Sequence, residues 1–269
     1  MDVIINADCA SVPMDVTPLT SMRQVSLHLL ASLGYDRLNL PLADLLRITH
    51  HLEGSWVVLS PIHWQASHND AMIIAAGSDL QLSEQESLSW FKLLSDYLHV
   101  DGLTLYYHDA STWLLHAANK PLLNAKPVYC LFSHSLMPEL AQLDSTMYWQ
   151  KFFTECQMFF ASQPNSSLLN GVWAWHGGTL AAKKSIPVCA DETFFSMAQA
   201  CSNKVTLYSP SVRLRDFQII LLNDIEILDP KHQQELSTIS AHWYWLNSAY
   251  AHKNYNWFTR IWRNLTHAH

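Results

Sequence analysis

The sequence is poor in charged residues, which make up 14% of its 269 positions, whereas 49% of the positions are hydrophobic. In soluble domains about a quarter of the residues are usually charged. Long disordered segments need high charge together with low apolar content. The composition therefore excludes long disordered regions and predicts a large buried core. The net charge of -7 argues against non-specific binding to nucleic acid, which requires a basic surface.

Long apolar runs and targeting features are missing as well. No stretch approaches the roughly 18 apolar residues that a membrane-spanning helix needs. The segment Met1–Ile5 lacks the basic start of a signal peptide. The five cysteines are an odd number without close pairing, which is typical of reduced thiols. We therefore expect a cytoplasmic protein that does not bind membranes.

The strongest chemical motifs are absent from the sequence. It contains no P-loop, GxGxxG, GxSxG or HExxH pattern, so the common phosphate, dinucleotide, hydrolase and zinc signals are lacking. Three local histidine clusters occur: His50 with His51, His63 with His68, and His108 with Asp109. None has a recognised ligand spacing, and scattered surface histidines are the ordinary case. We expect neither a metal nor a cofactor.

Short apolar runs bounded by turn residues predict strands. The main runs are Val3–Ile5, Trp56–Leu59, Val172–Trp175 and Phe217–Leu222. They alternate with helical patterns, so we expect an α/β fold with one mixed sheet flanked by helices. The last of these patterns begins at Asp229 and includes Trp243 and Leu246. No Gly-, Ser- or Pro-rich linker occurs, which predicts a single compact domain over residues 1–269.

The chain from about residue 250 is aromatic and basic, with Trp257 and Trp262 among its residues. We expect it to form a helical tail.

The most informative stretch is Leu169–Gly178. Trp173 and Trp175 alternate with small apolar residues, so they share one face of a short strand. The glycines after this strand permit close backbone approaches that bulkier residues forbid. Strand ends of this kind form pockets in α/β folds. We predict a ligand or partner pocket that comprises His63, Trp64, Gln157, Asn170, Trp173, Trp175, His176, Gly177 and Gly178.

Two of these side chains also have structural interpretations. His176 could titrate beside a ligand, or it could only bond a loop carbonyl. Gln157 falls on the aromatic helix that is predicted to begin near Asp144, and we expect its side chain to bond backbone near Trp173.

Three segments carry a family resemblance: Val58–Gln65, Glu155–Met158 and Asn170–Gly178. In order and spacing they resemble uncharacterised proteobacterial proteins that are labelled phosphoglycerate-mutase-like, or as Rpf-type regulatory proteins. That family has no established activity. His176 stands where the family pattern has glycine, and Gly171 stands where it has serine.

The tryptophan strand is also similar to one in archaeal-type cofactor-independent phosphoglycerate mutases. These enzymes belong to the alkaline-phosphatase-like superfamily and use two metal ions, a hydroxyl nucleophile and a late histidine cluster. This resemblance implies an alkaline-phosphatase-like remnant, in which Asp8 and Thr17 echo the early catalytic region. The late cluster is missing, because Phe217–Asp229 contains no histidine.

These observations favour a non-catalytic or regulatory protein on a degenerate phosphomutase-like scaffold, which binds a small molecule or a protein partner. One alternative is a phosphomutase or phosphatase that acts on a small phosphorylated acid through Asp8 and Thr17. Another is an interaction protein that docks through its aromatic C-terminal tail. Only the enzyme needs bound metal, and only the docking protein needs Trp257 and Trp262 to be exposed.

Overall fold

The structure is a computed structural model that describes residues 1–68, 70–164, 167–180 and 182–253. The chain forms two compact units, one from Met1–Leu33 with Ala182–His269 and the other from Gly34–Ala181. The expectation of a single compact domain stays a prediction. The expected helical tail is wrong at its start, because residues 249–252 form a strand. Trp257 and Trp262 lie outside the described residues.

The described chain contains strands and helices in alternation, which confirms the α/β class. The strands are β1 (Asp2–Ile5), β2 (Thr17–Leu19), β3 (Trp56–Ala66), β4 (Ala71–Ala76), β5 (Leu105–Asp109), β6 (Thr112–His116), β7 (Gly171–Trp175), β8 (Lys184–Ala190), β9 (Ser202–Leu207), β10 (Ile219–Leu222), β11 (Ala241–Tyr244) and β12 (Ala249–His252). The α-helices are α1 (Val25–Ser32), α2 (Leu42–Thr49), α3 (Glu84–His99), α4 (Met137–Leu140), α5 (Tyr148–Ser162), α6 (Glu192–Cys201) and α7 (Pro230–Ser237).

The unit that contains the chain start is built on a mixed seven-stranded sheet, with the strand order β2-β12-β11-β1-β10-β8-β9. The five strands from β11 to β9 run parallel, while β12 is antiparallel to both of its neighbours. Val3, Ile220 and Trp243 belong to one buried hydrophobic cluster. Continuous apolar runs such as Ile219–Leu222 are typical of parallel strands that are covered on both faces.

The second unit is built on an antiparallel five-stranded sheet that is centred on β3. The first half of β3 pairs with β6, its second half pairs with β4, and β7 pairs along Val58–Ile62. A register shift interrupts the β3–β4 pairing between His63 and Trp64.

The prediction that the four apolar runs share one sheet is wrong. β1 and β10 pair in one unit, whereas β3 and β7 pair in the other. An apolar run indicates that a strand is buried, but it does not identify the strand beside it. Pairing depends on long-range register, which a local pattern does not carry.

Two helix starts agree with the sequence, whereas α5 begins at Tyr148 and not near Asp144. Ser83 and Glu86 form the capping box that begins α3. Asp229 begins α7 as expected, but this helix ends at Ser237, and Trp243 lies in β11. The predicted continuation of this helix to Leu246 is therefore wrong. In the described part of the chain, no helix is long and apolar enough to cross a membrane.

Candidate functional site

The two tryptophans of β7 are buried structural residues. The Trp173 ring lies on the Phe153 ring of α5, with centroids 4.8 Å apart and planes 14° from parallel. Its Nε1 donates a hydrogen bond to the Lys126 carbonyl at 2.9 Å. Trp175 Nε1 donates to Ser60 Oγ at 3.1 Å. Both indole N–H groups are therefore satisfied inside the protein, and Trp173 packs on α5.

Asn170 supports the irregular part of β3. Its Oδ1 accepts a hydrogen bond from Trp64 N at 2.9 Å, and its Nδ2 donates to Trp64 O at 2.8 Å. The side-chain amide thus makes the two hydrogen bonds to the Trp64 backbone that a neighbouring strand would make. Close by, His63 Nδ1 lies 2.5 Å from the Leu168 carbonyl. These contacts hold the segment before β7 against β3.

The glycines after β7 allow a close approach of two backbone segments, as the sequence predicts. Gly177 has a φ of +74°, and an added Cβ would overlap the carbonyl oxygen of Leu40. Gly178 N donates to Asn39 O at 3.0 Å. His176 is half-buried, and its Nδ1 lies 2.8 Å from Gly177 O. This contact fits the interpretation in which His176 bonds a loop carbonyl.

The predicted pocket residues are only partly brought together. His63, Trp64 and Asn170 meet at the β3 irregularity, and Trp173 and Trp175 lie in the core. Their described polar contacts are internal, so the role of this group as a pocket stays a prediction.

The Gln157 side chain lacks the hydrogen bond that the sequence predicts. Among the described residues, the half-buried Gln157 side chain makes no hydrogen bond, so the expected bond to backbone near Trp173 is not formed. The buried Trp64 Nε1 also has no partner there. It packs over Gly171, where an added Cβ would lie 3.0 Å from it.

The two candidate catalytic residues, Asp8 and Thr17, lie level with opposite ends of the parallel strands of their sheet. Asp8 is exposed and follows the carboxyl end of β1, whereas Thr17 pairs with Ala251, level with the amino end of β11. Strands β11 and β12 lie between β1 and β2, which corresponds to about 14 Å across the sheet. The fold therefore does not bring Asp8 and Thr17 together as a nucleophile and a ligand.

A cavity of about 300 Å³ opens in the same unit beside β11 and β12. We name it the aromatic groove, and it is lined by Pro13, Ile225, Gln233, Ser237, Trp243, Trp245, Tyr250 and His252. The rings of Trp243 and Trp245 are 9° from parallel with centroids 6.2 Å apart, and Tyr250 lies 6.3 Å from Trp243 at 19°. Trp243 faces Tyr250 across the strand pair, and Trp245 is two residues further on, so the three rings share one face.

Polar groups from α7 border these rings. Gln233 Nε2 donates to the carbonyls of Ile225 and Leu228 at 3.3 and 3.1 Å. This use of the amide N–H groups leaves the Gln233 side-chain oxygen as an acceptor. Ser237 Oγ donates to Gln234 O at 2.8 Å. Burial raises the pKa of the Tyr250 hydroxyl, so this group is neutral at physiological pH. The groove thus combines three aromatic rings, each more than nine-tenths buried, with neutral polar groups.

The groove is absent from the sequence predictions because the pattern over residues 229–246 predicts one helix. The alternation of Trp243 and Trp245 across a polar-aromatic run is a period-two signal that favours a strand. Aromatic residues are also enriched in strands. Pairing with β12 then places Tyr250 on the same face, and the local sequence alone does not show this.

The described residues offer little for metal or thiol chemistry. Among them, no group of three or more His, Cys, Asp or Glu side chains could hold a metal ion. The five cysteines are free. Burial raises the pKa of the Cys189 and Cys201 thiols to about 12, so both are neutral packing residues rather than nucleophiles.

Comparisons with known proteins give only a distant likeness. No protein-family model matches the chain, and no curated protein matches it. Among solved structures it is similar to the PH0037 protein from Pyrococcus horikoshii, at 12% identity over 87% of this chain and 72% of that chain, with a TM-score of 0.39. It is also similar to the cofactor-independent phosphoglycerate mutase from Thermoplasma acidophilum, at 12% identity over 89% and 78%, with a TM-score of 0.34. The chain is thus distantly similar to a phosphomutase, and a likeness of this size carries no argument about activity.

Proposed function

We propose that this chain is a binding protein whose site is the aromatic groove, and that its ligand is a small molecule with a flat apolar ring. The observation that carries the proposal is the set of three near-parallel rings that line one cavity. Binding sites for small molecules are typically concave and aromatic, with a few polar groups that fix orientation. A cavity of about 300 Å³ has the size of such a site.

The groove chemistry favours a neutral ligand. Its lining residues are uncharged, apart from the titratable His252. The Gln233 side-chain oxygen can accept a hydrogen bond from an N–H or O–H at the edge of the ligand, because its amide nitrogen is already used. A planar heterocycle with a polar edge satisfies both requirements. A phosphorylated acid would instead need cationic partners or a metal.

The proposal gives the protein a non-catalytic or regulatory role on a degenerate phosphomutase-like scaffold in the cytoplasm. Five free cysteines suit a reducing compartment. The alternative of a phosphomutase or phosphatase is less favoured, because its two candidate catalytic residues, Asp8 and Thr17, are not adjacent. Docking through the C-terminal tail depends on residues outside those that the structure describes.

Probe titrations test the proposal against the enzyme alternative. The protein is titrated with indole, adenosine and phosphoglycerate while NMR follows the indole N–H resonances of Trp243 and Trp245. We expect indole or adenosine to shift these two resonances, and phosphoglycerate to leave them unchanged. Phosphoglycerate mutase or phosphatase turnover that requires added manganese, without any shift by the ring probes, would support the enzyme instead.

A further inference from the structure

Two histidines that are distant in sequence meet in the second unit. His50, which ends α2, has its Nε2 2.9 Å from Nδ1 of His108 in β5. On the other side of His50, Nδ1 lies 3.1 Å from the Tyr106 hydroxyl. On the other side of His108, Nε2 lies 3.6 Å from the Asp109 carboxylate. Tyr106, His50 and His108 therefore form one hydrogen-bonded chain, with the Asp109 carboxylate beside its His108 end.

The two facing nitrogens, His50 Nε2 and His108 Nδ1, need one proton between them. In the neutral pair His50 Nε2 can donate this proton to His108 Nδ1. The Tyr106 hydroxyl completes the chain by donating to His50 Nδ1. A first added proton is tolerated, because His108 can donate from Nδ1 while His50 changes tautomer. A second proton places N–H groups on both facing nitrogens, and the hydrogen bond is lost.

We propose that the His50–His108 pair is an acid-sensitive fastening of α2 to strand β5. The pair holds while the two imidazoles carry at most one positive charge, and it opens when both are protonated. α2 also anchors the segment after β7, because Asp44 Oδ2 accepts a hydrogen bond from Leu180 N at 2.9 Å. Acidification therefore loosens the helix that holds Leu180.

The surrounding charges agree with this behaviour. Burial, then His108, then His51 lower the pKa of His50, so protonation of this ring is disfavoured where it lies. The other charged groups of α2, Asp44 and Arg47, pair with each other at 3.7 Å. The helix dipole favours a cation at His50, which opposes burial and the two neighbouring histidines.

Hydrogen exchange of the full-length protein tests the fastening. After correction for the intrinsic rate, amides of residues 42–52 should exchange about tenfold faster at pH 5.0 than at pH 7.5, because the open state takes up the second proton more readily than the closed state does. Amides in α3 should not change. His108→Asn keeps a neutral polar group near the Nδ1 position and should reduce the acceleration to less than about twofold. His99→Asn, at the exposed end of α3, is the matched control and should behave like the wild type.

Two results overturn the proposal: α2 that shows no acceleration, or the same acceleration in His108→Asn. If His108→Asn loses protection throughout this unit at pH 7.5, NMR titration of the two imidazoles in the wild-type protein decides. Two separate protonation steps support the fastening, whereas one shared step near the ordinary histidine value overturns it.

Discussion

The Trp173 indole lies parallel to the Phe153 ring at 4.8 Å and thereby joins β7 to α5. Trp173 is fully buried, so its removal leaves a cavity and an unpaired carbonyl at Lys126. We expect Trp173→Ala to reduce the free energy of unfolding by roughly 3–5 kcal/mol, as measured by urea denaturation. His176→Ala is the control, because the described contact of this half-buried side chain is with the next residue. It should change stability by less than about 0.5 kcal/mol, and equal losses would place His176 in the core.

The close contact between Gly177 and the Leu40 backbone leads to a second prediction. Gly177 and Gly102 both have positive φ, but only Gly177 has backbone where a Cβ would lie. Gly102→Ala should cost about 1–2 kcal/mol for the left-handed conformation alone. Gly177→Ala should cost about 1–3 kcal/mol more, because Leu40 must move. Equal urea midpoints for the two variants would show that residues 39–40 move away without cost.

Asn170 should matter more than Gln157, although both are half-buried amides. Asn170→Ala removes both partners of the Trp64 backbone, and each buried group left unpaired costs about 1–3 kcal/mol. Gln157→Ala removes no described hydrogen bond and should stay within about 0.5 kcal/mol of the wild type. Thermal and urea denaturation of the two variants measure the difference. If both variants lost the same amount of stability, the hydrogen bonds from Asn170 to the Trp64 backbone would not stabilise the fold as proposed.

The lowered pKa of His50 predicts that the protein loses stability in acid. Its pKa lies below the ordinary 6.5 in the folded protein, so the unfolded chain takes up a proton first as the pH falls. The free energy of unfolding should therefore decrease from about pH 6.5 downward and level off below the folded pKa. His50→Gln should flatten this part of the pH profile, while His99→Gln should not. Identical profiles for His50→Gln and the wild type would contradict the expected sign.

Local features of the fold were predictable, whereas the pairing of its elements was not. The Ser83–Glu86 capping box is a short-range contact that its own residues determine. The distribution of β1 and β3 over two sheets depends on partners far along the chain. The meeting of Asn170 with Trp64 was predicted as a cluster, but its hydrogen bonds to the Trp64 backbone depend on the pairing of β7 with β3, which has no local signal. The groove was missed because a strand with period-two aromatics was interpreted as a helix.

Blocking the aromatic groove without changing its rings tests the central claim most directly. Ser237→Tyr places a ring in the groove from the end of α7, whereas Gln234→Tyr adds the same ring to an exposed position of α7 that does not line it. The measurement is the Kd of the better of the two ring probes, indole or adenosine, for both variants and the wild type. We expect Ser237→Tyr to weaken binding at least about tenfold, which corresponds to about 1.4 kcal/mol, and Gln234→Tyr to bind like the wild type. Equal Kd values for all three proteins, or no binding of either probe to the wild type, would contradict the proposed function.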